Sequence, residues 1–239
     1  MAVTDNLGFR CALVTGGGGG IGEALTKYLV SKGKKVLIAG RTESNLKKSV
    51  DEISAFIAKI TKEHPELDCL VNNAAVQRPL NFLEDADFLS KAGRQELDIN
   101  IRGPMHLKPE GAVIINVSSI LGFIPISIAN PVYNGTKAFM HLWSMNLRTQ
   151  LRQGGAKIRV VEIAPPSVGT DLHRDREDPD DNKKHKNPSA LTVEVFMDEI
   201  TAKLERGDEI ISAGTGNGVV RMWYDAYGGQ YGKAKASGR

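Results

Sequence analysis

The sequence predicts an α/β fold, a single-domain doubly wound parallel sheet, and three observations predict it. Short apolar runs alternate with stretches whose apolar residues recur at helical spacing. A run of five glycines, Gly16 to Gly20, joins the first apolar run to the first helical stretch. Polar residues that could meet a ligand, Asn72, Asn73 and Ser119, fall where apolar runs end. In open α/β sheets ligands bind beyond those carboxyl ends. At 239 residues the chain is long enough for one large domain or two small ones, and the unbroken alternation assigns residues 1–239 to one.

The elements follow in order. CALVT (11–15) reads as a buried strand, and Leu25, Tyr28 and Leu29 then mark one face of a helix. VLIAG (36–40) reads as the second strand of a βαβ unit. Leu46, Val50, Ile53, Ile57 and Ile60 lie on a helical stripe within 42–64, and CLVNNAA (69–75) is the next strand. A helix over 86–107, a strand at AVIINVSS (112–119) and a helix over 133–152, ended by Gly154-Gly155, come next. IRVVEIAP (158–165) is a strand stopped by Pro165-Pro166. A polar loop (173–189), a helix (191–205), a strand at EIISAG (209–214) and a short aromatic-rich tail complete the reading.

Composition excludes several function classes. Lys and Arg total 31 against 28 for Asp and Glu, and this balance of +3 is too mild for a nucleic-acid or membrane-surface partner. The uncharged stretch 111–136 carries Asn116, Ser118, Ser119, Pro125, Ser127, Asn130 and Pro131, which a spanning helix would have to bury. Two cysteines, Cys11 and Cys69, sit inside apolar runs and suit a reduced cytoplasmic protein. MAVTDNLGFR has no apolar core for a signal peptide, so none is expected. The five histidines show no ligand spacing, and no metal site is expected.

The glycine turn lets the backbone approach a pyrophosphate, and the helix N-terminus stabilises its charge. Tyr133 and Lys137 stand four apart at the start of a helix and share its face, in the domain that carries this turn. With these residues in place, the chain resembles the classical short-chain dehydrogenase/reductase family from about Cys11 to Gly214. Thr15-Gly16-x-x-x-Gly20-Ile21-Gly22 matches the cofactor signature, and Asn72-Asn73-Ala74-Ala75 the Asn-Asn-Ala-Gly segment with alanine last. Asn100 matches the helix asparagine, and Ser119, Tyr133 and Lys137 the catalytic serine, tyrosine and lysine. Pro165 to Thr170, including Val168, match the segment that contacts the nicotinamide, with Pro166 in place of glycine.

The resemblance implies an NAD(P)-binding Rossmann-like domain and hydride transfer between nicotinamide and a carbonyl or secondary alcohol. Tyr133 would be the general acid/base, its pKa lowered by Lys137, with Ser119 bonding the substrate oxygen and Asn100 holding a water. Thr15, Gly16, Gly20, Ile21, Gly22, Asn73, Ala74, Tyr133, Lys137, Pro165, Val168 and Thr170 would line the cofactor. Gly40 replaces the acid that would bind a ribose hydroxyl, and the following Arg41 suits a 2′-phosphate, so NADP(H) is expected over NAD(H). The loop 173–189 falls where the family has its mobile substrate lid, and its five acids and five Lys/Arg equally suit a disordered loop.

Two segments are shorter than the family pattern. Residues 42–68 give 27 positions where two helices and a strand need roughly 35–40. The family's third strand is therefore expected to be missing, leaving its strands in the order 2-1-4-5-6-7. Only residues 101–111 follow Asn100 before the next strand, which would weaken the homodimer or homotetramer that the family forms. These deficits keep a non-catalytic or poorly active dinucleotide-binding relative as the alternative. A methyltransferase on a related fold would need a different glycine signature and no Tyr/Lys pair.

Overall fold

The computed structural model describes residues 5–40, 59–60, 62–81, 83, 94–106 and 113–237. Six strands form one parallel sheet: β1 (Cys11–Thr15), β2 (Lys35–Ala39), β3 (Leu67–Asn72), β4 (Val113–Val117), β5 (Arg159–Ile163) and β6 (Ile210–Ile211). Their order across the sheet is β2-β1-β3-β4-β5-β6, so the chain runs outward from β1 in both directions. Parallel strands need a crossover on each connection, and helices cover both faces. Hence central β4 is buried along its whole length and reads as a continuous apolar run interrupted by Asn116.

Helix α1 (Gly20–Ser31) packs beside α5 (Val193–Arg206) on one face, burying Leu25 and Leu29 against Phe196, Ile200 and Leu204. Thr192 caps the N-terminus of α5 by accepting the Val195 amide at 3.3 Å, and Gly207 ends the helix at φ +86°. The other face carries α4 (Pro131–Gln153) and a short helical stretch of three parts. These are α2 (Arg94–Leu97), a π turn (Asp98–Arg102) and α3 (Gly103–His106). A π turn widens the helix by one residue and is often found at functional sites. Here it carries Asn100.

Among the described residues no strand lies between β2 and β3. The stripe predicted over 42–64 lies largely outside the described residues, and positions 59–60 and 62–63 are helical. The first part of the helix expected over 86–107 also lies outside them. The tail read after residue 214 is instead a helix, α6 (Gly216–Ser237). Its five glycines cost about 1 kcal/mol each in helix propensity, which hid it in the sequence. Tertiary packing offsets that cost. Trp223 meets Phe123 edge-on at 5.9 Å, and the Tyr231 hydroxyl donates to the Met145 carbonyl at 2.9 Å. Trp223, Tyr227 and Tyr231 line a cavity of about 250 Å³ against Leu142 and Met145 of α4.

Two local constraints give tests. The single turn Ile120–Gly122 lies directly on α4, and a Cβ on Gly122 would stand 2.5 Å from the Lys137 carbonyl oxygen and 3.0 Å from the Ala138 nitrogen. Gly122→Ala must push backbone from backbone, and a loss of about 2 kcal/mol or more is expected in denaturant unfolding. Glu96 is buried, with Oε1 accepting the Arg78 amide at 2.8 Å and Oε2 without a partner among the described residues. Burial pushes its carboxyl from 4.5 up to about 7, against the pull of that amide and the Arg78 charge. The folded chain therefore holds a proton that the unfolded chain has lost between these values. The associated stability is full below pH 4.5 and lost as pH rises through 7. Glu96→Gln should match the wild type near pH 5 and exceed its melting temperature by about 2 °C or more at pH 8. Parallel melting profiles over that range would show that Glu96 does not titrate there.

Candidate active site

The glycine turn is built by crowding on one side and space on the other. Gly16 and Gly20 have φ of +66° and +53°, which favour glycine. A Cβ on Gly22 would meet the Gly16 carbonyl oxygen at 2.2 Å, and one on Gly20 would meet the Thr170 side chain at 3.1 Å. Among the described residues, nothing stands within 4 Å of a Cβ built on Gly18 or Gly19. Gly19, at the N-cap of α1, supplies no capping side chain, so the first amides of the helix remain available to an anion.

Thr15 and Asn73 fix this turn to the end of β3. The Thr15 hydroxyl donates to the Val71 carbonyl at 3.1 Å and accepts the amides of Asn73 and Ala74 at 3.0 and 3.1 Å. The Asn73 side chain donates to the carbonyls of Thr15 and Gly16 at 3.0 and 3.2 Å. Ile21 packs against the core beneath the turn. Beyond β5, Pro165 accepts the Ile120 amide at 3.1 Å. Asn182 donates to the carbonyls of Val168 and Thr170 at 3.1 and 2.9 Å, which holds the segment opposite Gly20. Arg41 lies outside the described residues.

Ser119, Tyr133 and Lys137 meet at the end of β4, and all three are buried. Ser119 begins the turn Ile120–Gly122, its oxygen accepting the Leu121 amide at 3.2 Å. Its hydroxyl also lies 3.5 Å from the Pro165 carbonyl and close enough to Tyr133 to favour the charged phenolate. Asn130 and Pro131 start α4, proline being suited to the first helical position. This start places Tyr133 and Lys137 one turn apart on the buried face. The Lys137 ammonium donates to the Val117 carbonyl at 2.8 Å and lies 5.4 Å from the centre of the Tyr133 ring.

The electrostatics correct one expectation. Burial raises the Tyr133 pKa in the free protein, with Ser119 opposing, Glu96 adding to the rise and Arg176 countering it. Spacing along the chain places a cation beside Tyr133 but says nothing of its desolvation, which dominates. The same burial pulls Lys137 down from 10.5 to about 8. Tyr133 is thus held as a neutral phenol beside a lysine whose charge is weakened.

Asn100 spends its amide locally. It donates to the Val76 carbonyl and to the Thr136 hydroxyl at 3.0 and 3.1 Å, and accepts the Val76 amide at 3.0 Å. The sequence singled out neither Arg176 nor Gln77, whose side chains bond at 2.9 Å. Arg176 and His173 both pair with Asp181, which ties the 173–189 segment together. Arg78, pairing with Asp175 at 3.4 Å, adds a second link to the chain after β3. Among the described residues no cluster of His, Cys, Asp and Glu could hold a metal, and no helix is long and apolar enough to cross a membrane.

Comparison with known proteins agrees with this architecture. Residues 10–56 and 47–181 match the family model for short chain dehydrogenase. The chain is 33% identical over 223 residues to the uncharacterized oxidoreductase DltE of Bacillus subtilis, covering 83% of this chain and 85% of that protein. It is 32% identical over 210 residues to the NADP-dependent 3-hydroxy acid dehydrogenase YdfG of Escherichia coli K12, covering 76% and 84%. The closed form of serine dehydrogenase complexed with NADP+ aligns at a TM-score of 0.68 and 27% identity, over 85% of this chain and 94% of that one. A short-chain dehydrogenase from Sphingobium yanoikuyae in complex with NADPH shares the fold at a TM-score of 0.69 and 19% identity, over 94% of each chain. With its parallel sheet, its glycine turn and its sequence matches taken together, the chain belongs to the short-chain dehydrogenase family of oxidoreductases.

Proposed function

We propose that the chain is an NADP(H)-dependent oxidoreductase acting between a carbonyl and the corresponding alcohol on a small molecule. The observation that carries this reading is the meeting of Ser119, Tyr133 and Lys137 at the end of β4. NADP-linked relatives support the cofactor. The open face at Gly18 and Gly19 and the uncapped start of α1 fit its pyrophosphate. Thr15, Gly16, Gly20, Ile21, Gly22, Asn73 and Ala74 would form that cradle. Pro165, Val168 and Thr170 would face the nicotinamide end, with Tyr133 and Lys137 at its reactive edge.

The bound nicotinamide supplies or accepts the hydride. In the reducing direction the Tyr133 hydroxyl donates its proton to the substrate oxygen, and the buried ammonium of Lys137 stabilises the phenolate left behind. Ser119 donates a second hydrogen bond to that oxygen as charge grows on it. A raised Tyr133 pKa keeps the proton in place until the substrate draws it, and the Lys137 charge limits the cost of losing it. Asn100 contributes by position: bracketing Val76 and Thr136, it joins the chain after β3 to the first turn of α4. The 173–189 segment, linked to that chain through Arg176 and Gln77, is the proposed lid over Tyr133.

Two measurements test the reading. Tyr133→Phe should lower kcat for NADPH-driven reduction of aldehydes and ketones by about a thousandfold or more, with NADPH affinity nearly intact. Full activity in that variant would remove Tyr133 from the mechanism. In fluorescence titration NADPH should bind more tightly than NADH, and Arg41→Ala should narrow the gap by about tenfold. Tighter binding of NADH would reverse the cofactor assignment.

A further inference from the structure

Glu162 is a carboxylate inside an otherwise apolar strand. Val160, Val161, Ile163 and Ala164 around it are buried, and Glu162 itself has no exposed surface. An unpaired charge there would be costly, so its partners matter. The Ser118 hydroxyl donates to Oε1 at 2.6 Å. Nδ1 of His141 lies 3.0 Å from Oε2 and 3.1 Å from Oε1, and since a carboxylate only accepts, that nitrogen carries the hydrogen. The imidazole is closed in by Phe123 at 3.8 Å and Trp223 at 4.7 Å between ring centres.

The partners of Glu162 are the immediate neighbours of the proposed catalytic groups. Ser118 stands between Val117, whose carbonyl takes the Lys137 ammonium, and Ser119, which reaches Tyr133. The Ser118 amide also donates to the Ile163 carbonyl at 2.8 Å, so the ends of β4 and β5 are joined on both sides of this serine. His141 stands one turn beyond Lys137 on α4. One carboxylate therefore holds the strand end that presents Ser119 and the helix turn that follows Lys137. Its field also opposes the loss of charge that burial imposes on Lys137. The other groups facing this pair are Tyr133 and His141 from α4, Ser118 from the end of β4, and Tyr224 from α6.

We propose that Glu162 is a positioning residue for the reaction: through Ser118 and His141 it keeps Ser119 and Lys137 in register with Tyr133. This inference rests on the catalytic reading of Ser119, Tyr133 and Lys137 given above.

Glu162→Gln retains the shape and an acceptor for Ser118 while removing the charge. Its kcat is expected to fall about tenfold to a hundredfold with KM and NADPH affinity changed little. The Lys137 ammonium, followed by nitrogen NMR in the ligand-free protein and assigned with Lys137→Arg, should titrate at lower pH than in the wild type. Glu162→Asp, which keeps the charge, should return that titration toward the wild-type midpoint. Wild-type kcat and an unmoved Lys137 titration in a less stable Glu162→Gln protein would reduce Glu162 to a structural role and overturn the proposal. If Glu162→Gln does not fold, Ser118→Ala severs one of the two holds: a lower kcat at unchanged NADPH affinity supports the proposal, and an unchanged kcat overturns it. A wild-type protein that reduces no carbonyl compound with NADPH would defeat the functional reading alone, because the Lys137 titration does not depend on turnover.

Discussion

The buried face of α4 is polar, and the rest of the site depends on how its groups are paired. Tyr133, the adjacent Thr136 and Lys137, His141, Ser144 and Arg148 recur every three or four residues on the side turned to the sheet. Buried polar groups are tolerated only when they are hydrogen-bonded. Thr136 meets Asn100, Lys137 the Val117 carbonyl, His141 the Glu162 carboxylate, and Ser144 the Asn116 side chain. Arg148 donates to the carbonyls of Val160 and Glu209. Each bond sets one turn of the helix against β4, β5 or the π turn, so sliding α4 by one residue would break all of them together.

This pairing explains why other parts of the fold have the form they do. Asn100 reaches Thr136 from a π turn, where the helix is wider than an α-helix, and also brackets Val76 at the end of β3. The Ile120–Gly122 turn lies so close to the Lys137 carbonyl that a methyl group has no room. Asn116, which interrupts the apolar run of β4, bonds Ser144 on α4 and Asn72 on β3, a polar line running through the sheet. Such a line adds little net stability, since each bond replaces one to water, but it leaves few alternative registers.

The parts legible in the sequence are those written in local spacing. Alternating apolar runs predict five of the six strands closely, because a strand buried on both faces must be apolar whatever surrounds it. The glycine turn and the four-residue step from Tyr133 to Lys137 are also local, and the structure brings them to the ends of β1 and β4, with β3 between. The tail helix was not legible, since Gly216, Gly218, Gly228, Gly229 and Gly232 lower its propensity and only tertiary contacts, among them those with α4, Phe123 and Ile120, offset that. Glu162 carried a signal that was passed over: a carboxylate in an apolar strand must have buried partners. The direction of the Tyr133 shift was illegible for a different reason. Spacing names neighbours, whereas desolvation is a property of everything packed around the ring.

The same distinction between composition and placement applies to charge. The overall balance of +3 predicts nothing about the site, and residues 173–189 are neutral in sum. Yet within that segment Arg176 is directed to Gln77 and acts on Tyr133, whereas Asp181 holds both Arg176 and His173. Glu96 approaches Tyr133 with the opposite sign, and burial leaves it half protonated near neutrality. Coulomb interactions at short range and low dielectric outweigh the screened sum of distant surface charges. Glu96 and Arg176 therefore act on the tyrosine directly and with opposite sign, while Glu162 acts on its neighbour Lys137. Each of them is anchored by hydrogen bonds to a different part of the fold. A chain that placed the same four residues without those anchors would keep its composition and lose the balance that holds a proton on Tyr133.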